Sequence, residues 1–320
     1  ENVSVESAEI TIEAGADFEI SDSKRITFGV DSAIIADGTM EAPIRFYGKA
    51  PEVGYWTGMR IDSKNGSNLF NYVSVEHAGG DKLETFSEPA NVLVHSGRLK
   101  VNNSTFASSG GYGIADSNET DFTEFNSNLF ENNNSGAMHI SASNIGELDN
   151  ASTYNAAVVV SQSDAVTNDQ TWPAIDSHIE FEASANFEAG TQTLEPGLEV
   201  RFASGQRLNF REDAVFVAEG TSEDPIVIRG TTEAPGFWAG LAFFTKSTES
   251  RLSYVTISHA GSTKLATFVE EAAISLVDAN LRAGNVTVTE TTGFGIFVDD
   301  SSVLTDEGGN NWGTNGVGVP

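Results

Sequence analysis

Two five-residue frames, Gly54-Tyr55-Trp56-Thr57-Gly58 and Gly236-Phe237-Trp238-Ala239-Gly240, hold two of the four tryptophans in the chain. An aromatic ring that reaches solvent stacks on the C–H face of a sugar. Tyr55, Trp56, Phe237 and Trp238 are therefore the first ligand-binding candidates, joined by Trp172 in the stretch Asp169-Gln170-Thr171-Trp172-Pro173. The flanking glycines also suit the opposite arrangement, a tryptophan laid over a corner of the fold where backbone comes close. Exposure of the indoles decides between the two. Acidic turns form the second group. Asp116, Asn118 and Asp121 in one turn, and Asp299, Asp300, Asp306 and Glu307 in another, are the hard oxygen donors that calcium takes, although neither turn has the glycine and terminal glutamate of an EF-hand loop. Histidines form the third. His77 and His259 recur in matching His-Ala-Gly contexts, which points to a corner held by hydrogen bonds, and the chain has no HExxH or His-x-His spacing for zinc.

Charge narrows the partners. The chain of 320 residues carries 46 acidic and 17 basic side chains, a net charge of −29, and has no basic run. The cationic footprint that holds phosphates is missing, so nucleic acid and anionic membranes are poor partners, and an acidic groove repels polyuronates unless a cation bridges the two. With no cysteine, disulfides, thiolate metal sites and cysteine nucleophiles are excluded. No stretch approaches ~20 consecutive apolar residues, so no membrane-spanning helix is expected. The opening ENVSVESAEI has neither a basic nor an apolar region of the kind a signal peptide needs.

The elements that must position these residues show themselves through an internal repeat. Residue i matches residue i + 182 without a gap over roughly 12–133 against 194–315. ADGTMEAPI (36–44) meets AEGTSEDPI (218–226), YVSVEHAGGDKLETF (72–86) meets YVTISHAGSTKLATF (254–268), and GYGI (111–114) meets GFGI (293–296). This is duplication of one structural unit. Its texture is short apolar alternation closed by Gly, Asn, Asp or Ser, with no sustained helical period, and 31 glycines interrupt most windows. Short strands with Asn-rich corners such as VNNSTF (101–106) and NLFENNN (128–134) favour a solenoid over a sandwich. Val73, Val75, Val255 and Ile257 are expected to form inward ladders, with about 20 to 25 residues per coil.

The string TIEAGADFEI…ADGTMEAPIRFYG…GYWTGMRI…NYVSVEHAG and its second copy, carried best by TLEPGLEVRF (193–202), resemble right-handed parallel β-helix proteins of the pectin-lyase-like superfamily. Within it they are similar to secreted bacterial repeat proteins with G-x-W-x-G-I coils. The resemblance implies an all-β fold, a single-stranded right-handed parallel β-helix. The expected organisation is one continuous solenoid over 1–320, with a first half at 1–133 that includes an N-terminal cap, connecting coils at 134–193 and a second half at 194–320. It leaves function open, since the group holds surface proteins beside lyases and hydrolases. Asp299-Asp300 resembles the paired aspartates of β-helix polygalacturonases, where one acid protonates the leaving oxygen and another activates water. These two have no acidic counterpart in the first copy, and the histidine and basic clamp of that family are not visible around them. The expectation is thus a non-catalytic, secreted or cell-surface module that binds a carbohydrate or a partner protein, with no cofactor apart from calcium. The alternatives are a polysaccharide lyase or glycoside hydrolase, and a structural spacer.

Overall fold

The computed structural model describes residues 1–85, 87–117, 119–162, 165–266 and 270–319. Among them, strand is the regular structure apart from one 3-10 helix, Ala142–Glu147. The chain divides into two compact units, Glu1–Val159 with Ile175–Ser177, and Val160–Ala174 with His178–Pro320.

In each unit successive strands fall on three different sheets, and most strands pair in parallel with the strand three places further on. In the first unit, Val3–Val5, Arg25–Phe28, Gly58–Ile61, Ala90–Val94, Tyr112–Asp116 and Gly136–Ser141 make one sheet. A second runs Glu9–Ile12, Ala33–Asp37, Leu69–Asn71, Arg98–Asn102 and Asp121–Asn126, and a third Asp17–Ile20, Ile44–Gly48, Val73–Glu76, Thr105–Ala107 and Leu129–Glu131. This is the arrangement of a parallel β-solenoid. The duplication is structural as well as sequential: at the same i to i + 182 offset, Ile44–Gly48 corresponds to Ile226–Gly230 and Val73–Glu76 to Val255–Ser258. Residues 134–193 are not a separate body, since Gly136–Ser141 pairs on Tyr112–Asp116 in the first unit and Ala185–Phe187 pairs on Arg207–Glu212 in the second.

The expected ladders are in place. Phe46, Val75, Phe106 and Phe130 stand in register and buried, and Ile228, Ile257 and Val288 do the same in the second unit. Aromatic rings continue these stacks, Phe106 on Phe130 at 5.3 Å and Phe130 on Tyr154 at 5.6 Å. Each side chain so buried contributes roughly 1.5–3 kcal/mol. At the other end of the ladder, segment 1–10 supplies the strand Val3–Val5 against Arg25–Phe28, while Ile10 and Phe18 keep about a third of their surface open.

Coil length departs from expectation. The register step from Ala90 to Tyr112 falls within the expected span, but the step from Ile35 to Leu69 exceeds it, because some coils carry long turns. Leu83, in the turn before the strand Ala90–Val94, packs in one cluster with Ala90, Leu93, Tyr112 and Ala115. Leu265 does the same against Ala239 and Ala242 in the second unit. Outward-pointing residues are therefore buried too.

The corners explain the asparagines. Tight turns between strands need left-handed backbone, which Asn, Ser and His tolerate better than most residues. Asn103 and Asn285 adopt φ of 51° and 55°, and His77 and His259 both 65°, so the same corner geometry recurs in each copy.

Candidate ligand-binding groove

The tryptophan question is settled by packing. Trp56, Trp172 and Trp238 are fully buried. Trp56 Nε1 donates to the Glu76 carbonyl at 2.8 Å, and its backbone N–H donates to His77 O at 3.2 Å. Trp238 repeats both bonds, to Ser258 O at 2.8 Å and His259 O at 3.2 Å. The Gly-x-Trp frame and the His-Ala-Gly frame are thus two sides of one joint, which is why they recur together. Trp172 donates to Gln192 Oε1 at 3.3 Å and lies between Phe181 and Phe187. An indole without accessible surface cannot stack on a sugar, so all three leave the ligand-binding set. Tyr55 and Phe237 are half-buried, each laid over a glycine: a Cβ on Gly48 or Gly230 would stand 2.9 Å from the ring.

The proposed calcium donors are occupied by protein groups. Asp116 is buried and accepts from Ser141 N at 2.9 Å and Asn144 Nδ2 at 2.5 Å. Asp121 pairs with Arg98 at 3.0 Å. Asp306 accepts from Gly308 N at 2.8 Å and Asn310 Nδ2 at 2.7 Å, and Glu307 from Arg282 Nε at 2.9 Å. Asn118 lies outside the described residues. Among the described residues no three His, Asp or Glu side chains gather as a metal site. Of the residues named from the two acidic turns, Asp116, Asp121, Asp306 and Glu307 are already engaged by protein donors.

Asp299 caps a turn. Burial works against its charge, but bonds from Ser302 Oγ at 2.6 Å, the Asp278 N–H at 3.2 Å and Ser301 outweigh it and hold the carboxyl below its usual range. Asp300 is exposed. The two are held differently, and neither lines a groove described below.

His259 reaches Glu290 Oε2 with Nε2 at 3.3 Å, and its Nδ1 lies 3.5 Å from Ser258 Oγ. In the first copy the neighbours are exchanged, with Glu76 where Ser258 stands and Ser108 where Glu290 stands. There His77 Nδ1 is buried without a hydrogen-bond partner. The left-handed corner is common to both copies; the side-chain bonding is not.

A concave polar surface lies elsewhere in the first unit. A groove of about 590 Å³ opens on the outside of the second sheet, lined by Asp37, Asn71, Asn102, Asn103, Glu124 and Asn126, with Leu69 and Phe125 beside them. Its geometry follows from register. Asp37 pairs with Asn71, Asn71 with Asn102, and Asn102 with Asn126, so four polar side chains stand in one row across four strands. At about 4.8 Å per strand the row is ~14 Å long. Asn71 Nδ2 donates to Asp37 Oδ1 at 2.8 Å, and Asn103 Nδ2 to Asn71 Oδ1 at 3.0 Å. Asn102 Nδ2 lies 3.3 Å from Glu124 Oε2, and Lys100 pairs with Glu124 at 2.9 Å. The bonds from Lys100 and Asn102 hold the Glu124 carboxyl below its usual range, so it stays ionised at neutral pH. Each amide has a second hydrogen or lone pair to offer, and its orientation is fixed in advance.

The duplication separates this row from structural asparagines. Asn128 ties Ser104 N and the Val101 carbonyl across a corner, and Asn310 makes the equivalent bonds to Val286 N and the Ala283 carbonyl. The groove row has no such counterpart: Glu219, Ser253, Gly284 and Gly308 occupy its positions in the second copy. Compared with family models, curated proteins and solved structures, the chain matches none.

Proposed function

We propose that this protein is a non-catalytic binding module, a right-handed parallel β-helix of the pectin-lyase-like kind at or outside the cell surface. It holds an uncharged, hydroxyl-rich polymer, a carbohydrate, along the groove of the first unit. The observation that carries this reading is the row Asp37, Asn71, Asn102 and Asn126, in which Asn71 is bonded to Asp37 and Asn102 to the neighbouring Glu124, present in only one of the two copies. Amide and carboxylate groups at steps of about 4.8 Å, close to the dimension of a sugar ring, offer alternating donors and acceptors to a chain of hydroxyls. Lys100 is already paired with Glu124, and the net charge is −29, which disfavours polyuronates and phosphates.

Affinity electrophoresis against neutral and uronic polysaccharides, with Asn71→Ala/Asn102→Ala beside the parent protein, tests this. Two lost neutral hydrogen bonds at about 0.5–1.5 kcal/mol each weaken binding by roughly 5- to 150-fold. Retardation by a neutral glycan that the double variant retains in full would contradict the assignment.

A further inference from the structure

The chain has two Asn-Gly bonds, Asn65-Gly66 and Asn315-Gly316, and they are held differently. Asn65 and Gly66 are exposed in the turn between the strands Gly58–Ile61 and Leu69–Asn71. Asn65 Oδ1 accepts the Ser67 N–H at 2.9 Å, which folds the carboxamide onto the side of the backbone that carries the Gly66 and Ser67 amides. Among the described residues the Gly66 N–H and Asn65 Nδ2 have no hydrogen-bond partner, and a Cβ built on Gly66 would meet nothing within 4 Å. Asn315 Nδ2 instead donates to the Gly293 carbonyl, and the Gly316 carbonyl accepts from Gly295 N at 3.0 Å, so that pair is pinned to the neighbouring coil.

The duplication shows that the turn does not need this pair. At the i to i + 182 offset, Ser63, Asn65, Gly66 and Ser67 become Thr245, Ser247, Thr248 and Glu249. The same two bonds close both turns. Asn65 N donates to Ser63 Oγ at 3.2 Å, as Ser247 N does to Thr245 Oγ1 at 3.2 Å. The Ser67 N–H bond to Asn65 is repeated by Glu249 N to Ser247 Oγ at 3.2 Å. Where the second copy uses a hydroxyl as acceptor, the first uses a carboxamide that carries an electrophilic carbon and a leaving group.

We propose that Asn65-Gly66 is a self-modifying site, where the chain loses ammonia spontaneously and gains a carboxylate, in part through an isoaspartyl linkage. The Gly66 nitrogen gives its proton to hydroxide and forms a bond to Asn65 Cγ. The Cγ–Nδ2 bond then breaks, and Nδ2 takes a proton from water and leaves as ammonia. One water molecule opens the resulting succinimide at either carbonyl, giving aspartate or isoaspartate, and nothing is oxidised or reduced. The Ser67 N–H sits on the oxygen that becomes negative during the attack and stabilises it. Glycine at position 66 leaves the approach unhindered. Isoaspartate lengthens the main chain just before Asn68, whose buried carboxamide joins three successive coils. Asn68 accepts from Ile34 N at 3.0 Å and donates to the Ser63 carbonyl at 3.0 Å and the Arg98 carbonyl at 2.9 Å. The strand that follows brings Leu69 and Asn71 to the groove, so the modification acts on one groove wall.

Peptide mapping by mass spectrometry of the intact chain, aged in mildly acidic and in mildly alkaline buffer, tests this without any ligand. Conversion at Asn65 is expected to exceed that at Asn315 by about tenfold or more, and to rise with pH because the attack needs the amide anion. Enzymatic methylation of isoaspartyl carboxylates is expected to label the peptide that carries residue 65. Gly66→Thr, which installs the second copy's residue, is expected to slow conversion at Asn65 by about tenfold or more. The double variant Asn65→Ser/Gly66→Thr is expected to melt with the parent protein, since its turn already exists in the second copy. Equal conversion at Asn65 and Asn315, or an Asn65 that stays intact in alkaline buffer, would overturn the proposal. So would a Gly66→Thr variant that folds, as judged by circular dichroism, yet converts Asn65 at the parent's rate.

Discussion

Replacing Trp56 and Trp238 by alanine, one at a time, probes the joint that defines the repeat. Both indoles are fully buried and donate from Nε1 to a strand carbonyl at 2.8 Å, Trp56 to Glu76 and Trp238 to Ser258. Truncating a buried Trp costs about 3–5 kcal/mol, which includes the cavity it leaves. The two sites are not energetically equal. Trp238 stacks on Phe202 at 4.2 Å with rings 9° from parallel, whereas the position equivalent to Phe202 in the first copy is Ile20. That stack adds about 0.5–1.5 kcal/mol, so Trp238→Ala costs more than Trp56→Ala by about 1 kcal/mol. Tryptophan→Phe keeps most of the ring but orphans the carbonyl, at about 1–3 kcal/mol. Urea unfolding followed by far-UV circular dichroism reads these differences, and acrylamide quenching of the parent protein reads exposure. Alanine variants within about 1 kcal/mol of the parent, or indoles freely quenched in the native state, would refute the argument that these residues belong to the core.

Other consequences are simpler to state. Gly111→Ala and Gly293→Ala each place a Cβ 1.9 Å from a backbone carbonyl, of Pro89 and Glu271 respectively, and are expected to cost about 1–3 kcal/mol or to prevent folding of the coil, as read by thermal melting. Asp299→Ala removes the acceptor for the Asp278 and Ser301 backbone N–H groups and is expected to destabilise by about 1 kcal/mol, while Asp300→Ala leaves the melting curve unchanged. Because the Asp299 carboxyl is depressed in the folded state, its contribution is present above pH 4 and is lost as pH falls through its lowered value, so the two melting curves converge in acid. Added calcium is expected to leave the melting temperature where it is, since Asp116, Asp121, Asp306 and Glu307 are held by protein donors; a rise that saturates with calcium would contradict that.

Much of the fold was legible because its signals are local. Alternation placed Val73, Val75, Val255 and Ile257 inside, and the constant match of residue i with i + 182 located the duplicated coils. Left-handed corners announced themselves through asparagine and histidine. The side of the tryptophans was not legible. A Gly-x-Trp-x-Gly frame fits an exposed platform or a covered corner equally well, and only the contact between Trp56 and the distant Glu76–His77 backbone decides it. Burial of Leu93 and Ala115 was hidden for a related reason: both point outward from the sheet, and it is the turn carrying Leu83 that covers them. The groove gave no periodic signal at all. Asn71, Asn102 and Asn126 are neighbours in space but lie a whole coil apart in sequence, at unequal spacings because the intervening coils differ in length. The one clue was the failure of the row to recur at Ser253, Gly284 and Gly308, and it becomes readable only once register shows that these positions form a row.

The most direct test of the binding account is a hydrogen-exchange footprint of the intact protein with and without a saturating neutral oligosaccharide that retards it in electrophoresis. The second copy serves as an internal control, since it has the same coil without the polar row. The account predicts slowed exchange in peptides covering 69–71, 98–103 and 121–126, with no change at 251–253 and 280–284. Slowing at both sets, or at the second copy alone, would contradict it.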